Sequence, residues 1–126
     1  MDATSAKMLL VSVLLLSALT SAATGSVDVV SVGTMRLCRP TAIDATISSD
    51  RYTGKPVALI QLNDNGKATL ARLTTQAKGK RLSVTLNGET VAEPLVLEPI
   101  LGGVFEISGL DKVVLEQIVK AVTSDC

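Results

Sequence analysis

The chain has 126 residues, a length that accommodates one domain. Its 12 basic and 12 acidic residues give a formal net charge of zero, and no block of like charge stands out, so nothing points to a nucleic-acid footprint or a polybasic membrane anchor. It contains no histidine and no Trp, with one Tyr and one Phe, which removes Ser-His and Cys-His nucleophile pairs, the commonest zinc ligand and the aromatic platforms on which bases stack.

The first residues read as an export leader. Lys7 precedes an apolar run, residues 8–19, followed by the small residues Thr20, Ser21, Ala22, Ala23, Thr24 and Gly25. A positive start, a short apolar core and small residues at the cut define a signal peptide. The expected cut follows Ala23, giving a leader of residues 1–23. The alternative is an uncleaved anchor, although a membrane helix needs about 20 apolar residues. Losing Asp2 and Lys7 removes one charge of each sign and leaves the net charge at zero.

Residues 26–32, rich in Val, read as a strand ended by Gly33. Residues 35–50 are ambiguous: Arg39-Pro40 breaks the chain, and residues 42–47 fit either a short strand or a helical turn. Residues 48–56 carry turn chemistry through Gly54 and Pro56. Residues 57–62 form a strand whose nearly continuous apolar character implies burial on both faces.

Asn63-Asp64-Asn65-Gly66 offers caps for a helix over residues 67–77, in which Leu70, Leu73, Thr74 and Ala77 share one face. Gly79 ends it as a left-handed cap. Residues 81–86 alternate, with Leu82, Val84 and Leu86 on the buried face. Asn87-Gly88 is a hairpin signal, since both central positions of a type I′ turn need positive φ. Residues 89–97 read as an edge or bulged strand interrupted by Pro94, which has no N–H to give a ladder. After a loop containing Gly102 and Gly103, residues 104–107 form a strand and residues 110–122 a helix. Leu110, Val114, Ile118 and Ala121 mark the apolar face of that helix, with Val113 and Val122 beside it. The expected fold is α+β: a two-layer sandwich of a mixed, mainly antiparallel sheet with two helices packed on one face. Residues 24–53 form an N-terminal strand and irregular segment, packed with residues 54–126 as one domain.

Three features invite chemistry and have plainer explanations. Gly102-Gly103 lacks the spacing and the following helix of a phosphate cradle. Glu89, Glu93, Glu98 and Glu106 suggest paired carboxylates, but charges on an exposed strand also protect a sheet edge from association. Asn63 to Gly66 resembles a cation loop, and helix capping accounts for it. No catalytic, cofactor-binding or metal-ligating residue can be named, so the chain is read as a non-enzyme without cofactors. Export and an even cysteine count favour a disulfide between Cys38 and Cys126, with two separate thiols as the alternative. A loop of about 90 residues closed this way contributes roughly 4 to 5 kcal/mol at most.

From Gly54 onward, the order of motifs resembles the head subdomain of the large periplasmic domain of SecD. The matching pieces are Gly54-Lys55-Pro56-Val57 before a strand and Leu62-Asn63-Asp64-Asn65-Gly66 at a helix start. Lys78-Gly79-Lys80-Arg81-Leu82 and Leu86-Asn87-Gly88-Glu89 then flank a strand. They are followed by Val91-Ala92-Glu93-Pro94-Leu95-Val96, Glu98-Pro99-Ile100-Leu101-Gly102-Gly103 and Phe105-Glu106-Ile107-Ser108-Gly109. Residues 26–50 fall outside this resemblance. SecD works with SecF in a membrane complex that uses the proton gradient to help exported proteins emerge, and its head subdomain is thought to contact the emerging polypeptide. The family's membrane spans and proton-carrying residues have no counterpart here. The resemblance therefore implies an exported or periplasmic module that contacts a polypeptide or protein partner, from exported clients to the Sec machinery, without nucleic acid and without stable membrane insertion after leader cleavage. It transfers no individual binding residue. A structural component of an envelope complex is the alternative, and a histidine-free enzyme ranks last.

Overall fold

A computed structural model describes residues 28–126; the expected leader, residues 1–23, lies outside them. In chain order the described residues form β1 (Val30–Val32), β2 (Met35–Leu37), β3 (Ala42–Ser49), β4 (Pro56–Leu62), α1 (Asp64–Gln76), β5 (Val84–Leu86), β6 (Glu89–Ala92), β7 (Val104–Ile107) and α2 (Lys112–Val122). The α+β class and the two helices are as expected. The strands, however, divide between two antiparallel sheets, one ordered β2-β1-β5-β6 and the other β3-β4-β7.

Local chemistry sets most boundaries. Asn63 caps α1, its Oδ1 accepting from the Gly66 N–H at 2.8 Å, so the helix begins at Asp64, one turn ahead of its apolar face. The same side chain donates to the Pro40 carbonyl at 2.9 Å and ties the helix start to the β2–β3 connection. Gly66 faces that connection so closely that a Cβ there would lie 2.8 Å from Thr41 Cγ2 and 3.2 Å from the Thr41 carbonyl oxygen. Asn87 and Gly88 both have positive φ, 54° and 84°, as the β5–β6 turn requires. The Asn87 side chain also accepts from the Val29 N–H at 2.8 Å, fastening the start of β1 to this turn.

The ambiguous segment after Gly33 resolves as strand. Gly33-Thr34 turns β1 into β2, and residues 42–49 form β3, the longest strand, with a bulge between Ala42 and Asp44. One core joins both sheets and both helices, built from Val30, Leu37, Ile60, Leu70, Leu115, Ile118 and Val122 among others.

Two sequence expectations need correction. β4 is not buried on both faces along its whole length: Ala58, Ile60 and Leu62 point into the core and Val57 is buried on the opposite face, whereas Leu59 and Gln61, also on that opposite face, are exposed. Val113 lies on the solvent side of α2, 68% exposed. The expected face holds, with Ile118 and Ala121 buried and Leu110 and Val114 packed against the core, and it extends to Leu115 and Val122 as α2 packs across β3 and β4.

The structure joins Cys38 to Cys126, with Cα atoms 5.2 Å apart and a sequence separation of 88. Backbone bonds flank the link. Arg39 donates to the Ser124 carbonyl at 2.9 Å, and Cys126 donates to the Arg39 carbonyl at 3.2 Å. The C-terminal residues are thereby clasped to the end of β2. None of the described helices is long and apolar enough to cross a membrane.

Candidate functional site

Between the two sheets lies a groove of about 480 Å³. Its floor is the inner side of the four-stranded sheet and α1, through the buried residues Val32, Val84, Leu70 and Thr74. One wall is β7, with Phe105, Glu106 and Ile107. The opposite wall is the end of β6 and the chain after it, residues 92–98.

That second wall follows from Pro94. The alternating pattern carries β6 as far as Ala92, and Pro94 then interrupts it, though pairing with the segment before β5 continues. Leu82 donates to the Pro94 carbonyl at 3.0 Å, Val96 donates to the Lys80 carbonyl at 2.9 Å, and Gly79 donates to the Val96 carbonyl at 2.8 Å. Pro94 thus gives its acceptor where it has no donor, at the sheet's edge, as expected. Beyond Val96 the chain is held by Thr74. This fully buried hydroxyl donates to the Leu70 carbonyl at 2.7 Å and accepts from the Ile100 N–H at 2.9 Å. Along this stretch Leu95 and Leu97 are 48% and 70% exposed. The wall is consequently apolar both toward the groove and along its rim.

The carboxylates singled out in the sequence separate here. Glu93 and Glu98 line the groove and Glu106 borders it from the outer side of β7, whereas Glu89, at the hairpin end of β6, does neither. All four are exposed, and among the described residues no three acidic, cysteine or histidine side chains gather as a metal site. Cys38 and Cys126 are joined to each other at the other end of the fold and play no part in the groove. Sequence reasoning marked the strip around Pro94 and missed Val32, Leu70, Phe105 and Ile107, whose spacing reads as ordinary core. The sheet's outer face carries a smaller apolar feature: Leu59 and Val104 lie on the same side of the β4–β7 pair, 36% and 46% exposed.

The described residues thus form an α+β domain with two antiparallel sheets and an apolar groove between them. The SecDF P1 head subdomain family model matches residues 28–115, and the chain belongs to this family. The match starts well before Gly54, so β1 to β3, which carry none of the motifs quoted above, are part of the shared domain. The protein translocase subunit SecD of Acidaminococcus fermentans is 36% identical over 66 residues, covering 52% of this chain and 16% of that protein. SecD of Treponema pallidum is 38% identical over 66 residues, covering 52% and 11%. A solved structure of SecDF, described as a membrane component that enhances protein export, superposes with a TM-score of 0.60 at 27% identity, covering 68% of this chain and 39% of that one. The chain spans less than a fifth of the length of these two curated relatives.

Proposed function

We propose that this chain is an exported, non-catalytic module that holds segments of polypeptide in the groove between β7 and residues 92–98, in support of protein export. The observation that carries this reading is the groove itself: an apolar trough walled by exposed leucines on a domain of zero net charge. Monomeric proteins seldom leave contiguous apolar surface open unless something docks there. The membership of the SecDF head family supports the link to export, and the leader read at residues 1–23 supports a location outside the cytoplasm. Residues 24–126 then act as one domain after cleavage, with protein partners, no cofactor and no nucleic acid.

Photo-crosslinking in cells, with probes placed one at a time through residues 90–103, tests this. Adducts with many unrelated exported proteins are the expected result. The absence of any polypeptide adduct across the whole strip would overturn it. The second reading, an assembly component of an envelope complex, is favoured by the exposed Leu59 and Val104 on the outer sheet face. It predicts one dominant, stoichiometric partner, captured from that face instead.

A further inference from the structure

β7 is an edge strand, paired on one side only, with β4. The register fixes which of its backbone groups are free. Leu62 donates to the Gly103 carbonyl at 2.8 Å, so the directly bonded pairs down the ladder are Leu62 with Gly103, Ile60 with Phe105 and Ala58 with Ile107. The N–H and C=O of Val104 and Glu106 therefore point the other way, along the open edge, and have no hydrogen-bond partner among the described residues. Phe105, Glu106 and Ile107 of this strand also wall the groove. The trough thus places a row of unmet main-chain donors and acceptors beside an apolar floor.

The charge at the groove is one-sided. Glu93 and Glu98 line it, Glu106 borders it from the outer side of β7, and no Lys or Arg lines it. Arg81 reaches the Glu93 carbonyl, at 2.8 Å, from outside that lining. Exposed carboxylates disfavour an acidic occupant and favour a basic one. They also disfavour a second copy of this chain, because pairing two β7 edges would bring like charges together.

We propose that the groove takes an extended polypeptide segment as an added strand on the free edge of β7, and that it selects apolar segments carrying Lys or Arg. This rests on the polypeptide-binding reading above and specifies its chemistry. Main-chain bonds to Val104 and Glu106 give binding that tolerates many sequences. Alternate side chains of the guest pack on the part-exposed apolar lining, Leu82, Ala92 and Phe105, and its cations meet Glu93 and Glu98 across the groove or Glu106 on the outer side of β7.

The test uses the exported, disulfide-bonded protein and labelled eight-residue peptides of alternating apolar and polar residues with one Lys, read by fluorescence anisotropy. Two further peptides are N-methylated at alternate residues, one in each phase, and a third has Lys replaced by Glu. One N-methyl phase should weaken binding at least about tenfold, since it removes the bonds to β7, while the other phase binds nearly as the parent does. The Glu peptide should bind about three- to tenfold more weakly, with the gap closing at high salt. On the protein side, the Val104 and Glu106 amides should exchange more slowly with the parent peptide bound. Val104→Pro, which removes an outward N–H and no bond to β4, should weaken the parent peptide. Equal binding of both N-methyl phases overturns strand addition and leaves polypeptide binding standing. A Glu peptide that binds as well as the Lys peptide overturns the charge selection. If no peptide binds while crosslinks to exported proteins are still found, this inference fails alone; if both are absent, the underlying reading fails with it.

Discussion

Breaking the Cys38–Cys126 link should cost this domain a large share of its stability, and the loop length sets the size of the effect. The bond spans 88 residues, nearly all of the described chain. Loop-closure entropy for a ring of that size is about 15 cal/mol/K, or about 4.6 kcal/mol at 25 °C, acting on the unfolded ensemble. Domains of this size have total stabilities of about 5 to 15 kcal/mol. Cys126→Ser is the cleaner perturbation, because Cys126 is exposed whereas Cys38 is 2% exposed and packs as a small apolar side chain. Urea unfolding of the two proteins, followed by circular dichroism, should show the midpoint falling by about 2 to 3 M for an m of about 1.5 to 2 kcal/mol/M. The slope should be steeper for the variant, since an unlinked unfolded chain exposes more surface. A midpoint shift under about 0.5 M at unchanged slope would refute the reasoning. The backbone clasp of Arg39 with Ser124 and Cys126 would then be holding the C-terminus almost unaided.

Three smaller perturbations test local parts of the argument. Gly66→Ala gains about 1 kcal/mol of helix propensity but places a Cβ 3.0 Å from that of Leu62 and 3.2 Å from a backbone oxygen that cannot rotate away. Overpacking of about 1 to 3 kcal/mol should win, and a rise in melting temperature would count against the close approach. Thr74→Val keeps the shape and removes the acceptor for the Ile100 N–H; it should cost about 1 to 3 kcal/mol and speed exchange of the Ile100 amide, whereas unchanged protection would show that the groove wall is anchored elsewhere. The Asp50 carboxyl accepts from the N–H groups of Thr53 (2.9 Å) and Tyr52 (2.7 Å), which hold its pKa below the ordinary value of 3.8, the Thr53 bond being the larger cause. A pKa lowered in the folded state means the turn's stabilisation is present above the unfolded value and lost as pH falls through the folded one. Its NMR titration should therefore have a midpoint under 3.8, and a midpoint at or above that value would mean the turn bonds are absent in solution.

What was legible in the sequence was what depends on neighbours along the chain. The Asn63 cap, the Asn87-Gly88 turn, the break at Pro94 and the faces of α1 each follow from a few adjacent residues, and each stands in the structure. β2 is three residues long, between a Gly turn and Arg39-Pro40, too short for any period to show. The division into two sheets depends on β1 pairing with β5 and β4 with β7, contacts between distant segments that no local pattern encodes. The same holds for β4: its apolar run looks buried throughout, yet Leu59 is exposed on the face where Val57 is covered. For the groove, Glu93, Pro94 and Glu98 were visible as an edge with charges. Leu70, Phe105 and Ile107 were not, because a side chain that walls an apolar groove has the same spacing as one that fills a core.

An open trough has a structural cost that bears on why the domain is cross-linked. The floor of the groove, at Val32, Leu70 and Val84, is buried, yet Leu95 and Leu97 above it gain little from folding because they remain largely in water. Each such leucine forgoes much of the roughly 1.5 to 3 kcal/mol that full burial would provide. A domain near 100 residues already has a modest core for its surface, so leaving one wall unfilled pushes it toward marginal stability. A disulfide that destabilises the unfolded chain restores the balance without filling the groove, because its effect does not depend on native packing near the site. Cys38 and Cys126 lie among none of the groove's lining residues. On this argument, reduction should lower stability while leaving peptide affinity of the folded fraction unchanged. A leucine-to-alanine change at Leu95 or Leu97 should do the reverse, weakening peptide binding with little effect on the unfolding midpoint. If Leu97→Ala instead shifted the midpoint as strongly as a core deletion, about 2 to 5 kcal/mol, the rim would be part of the core and the groove would not be open in solution.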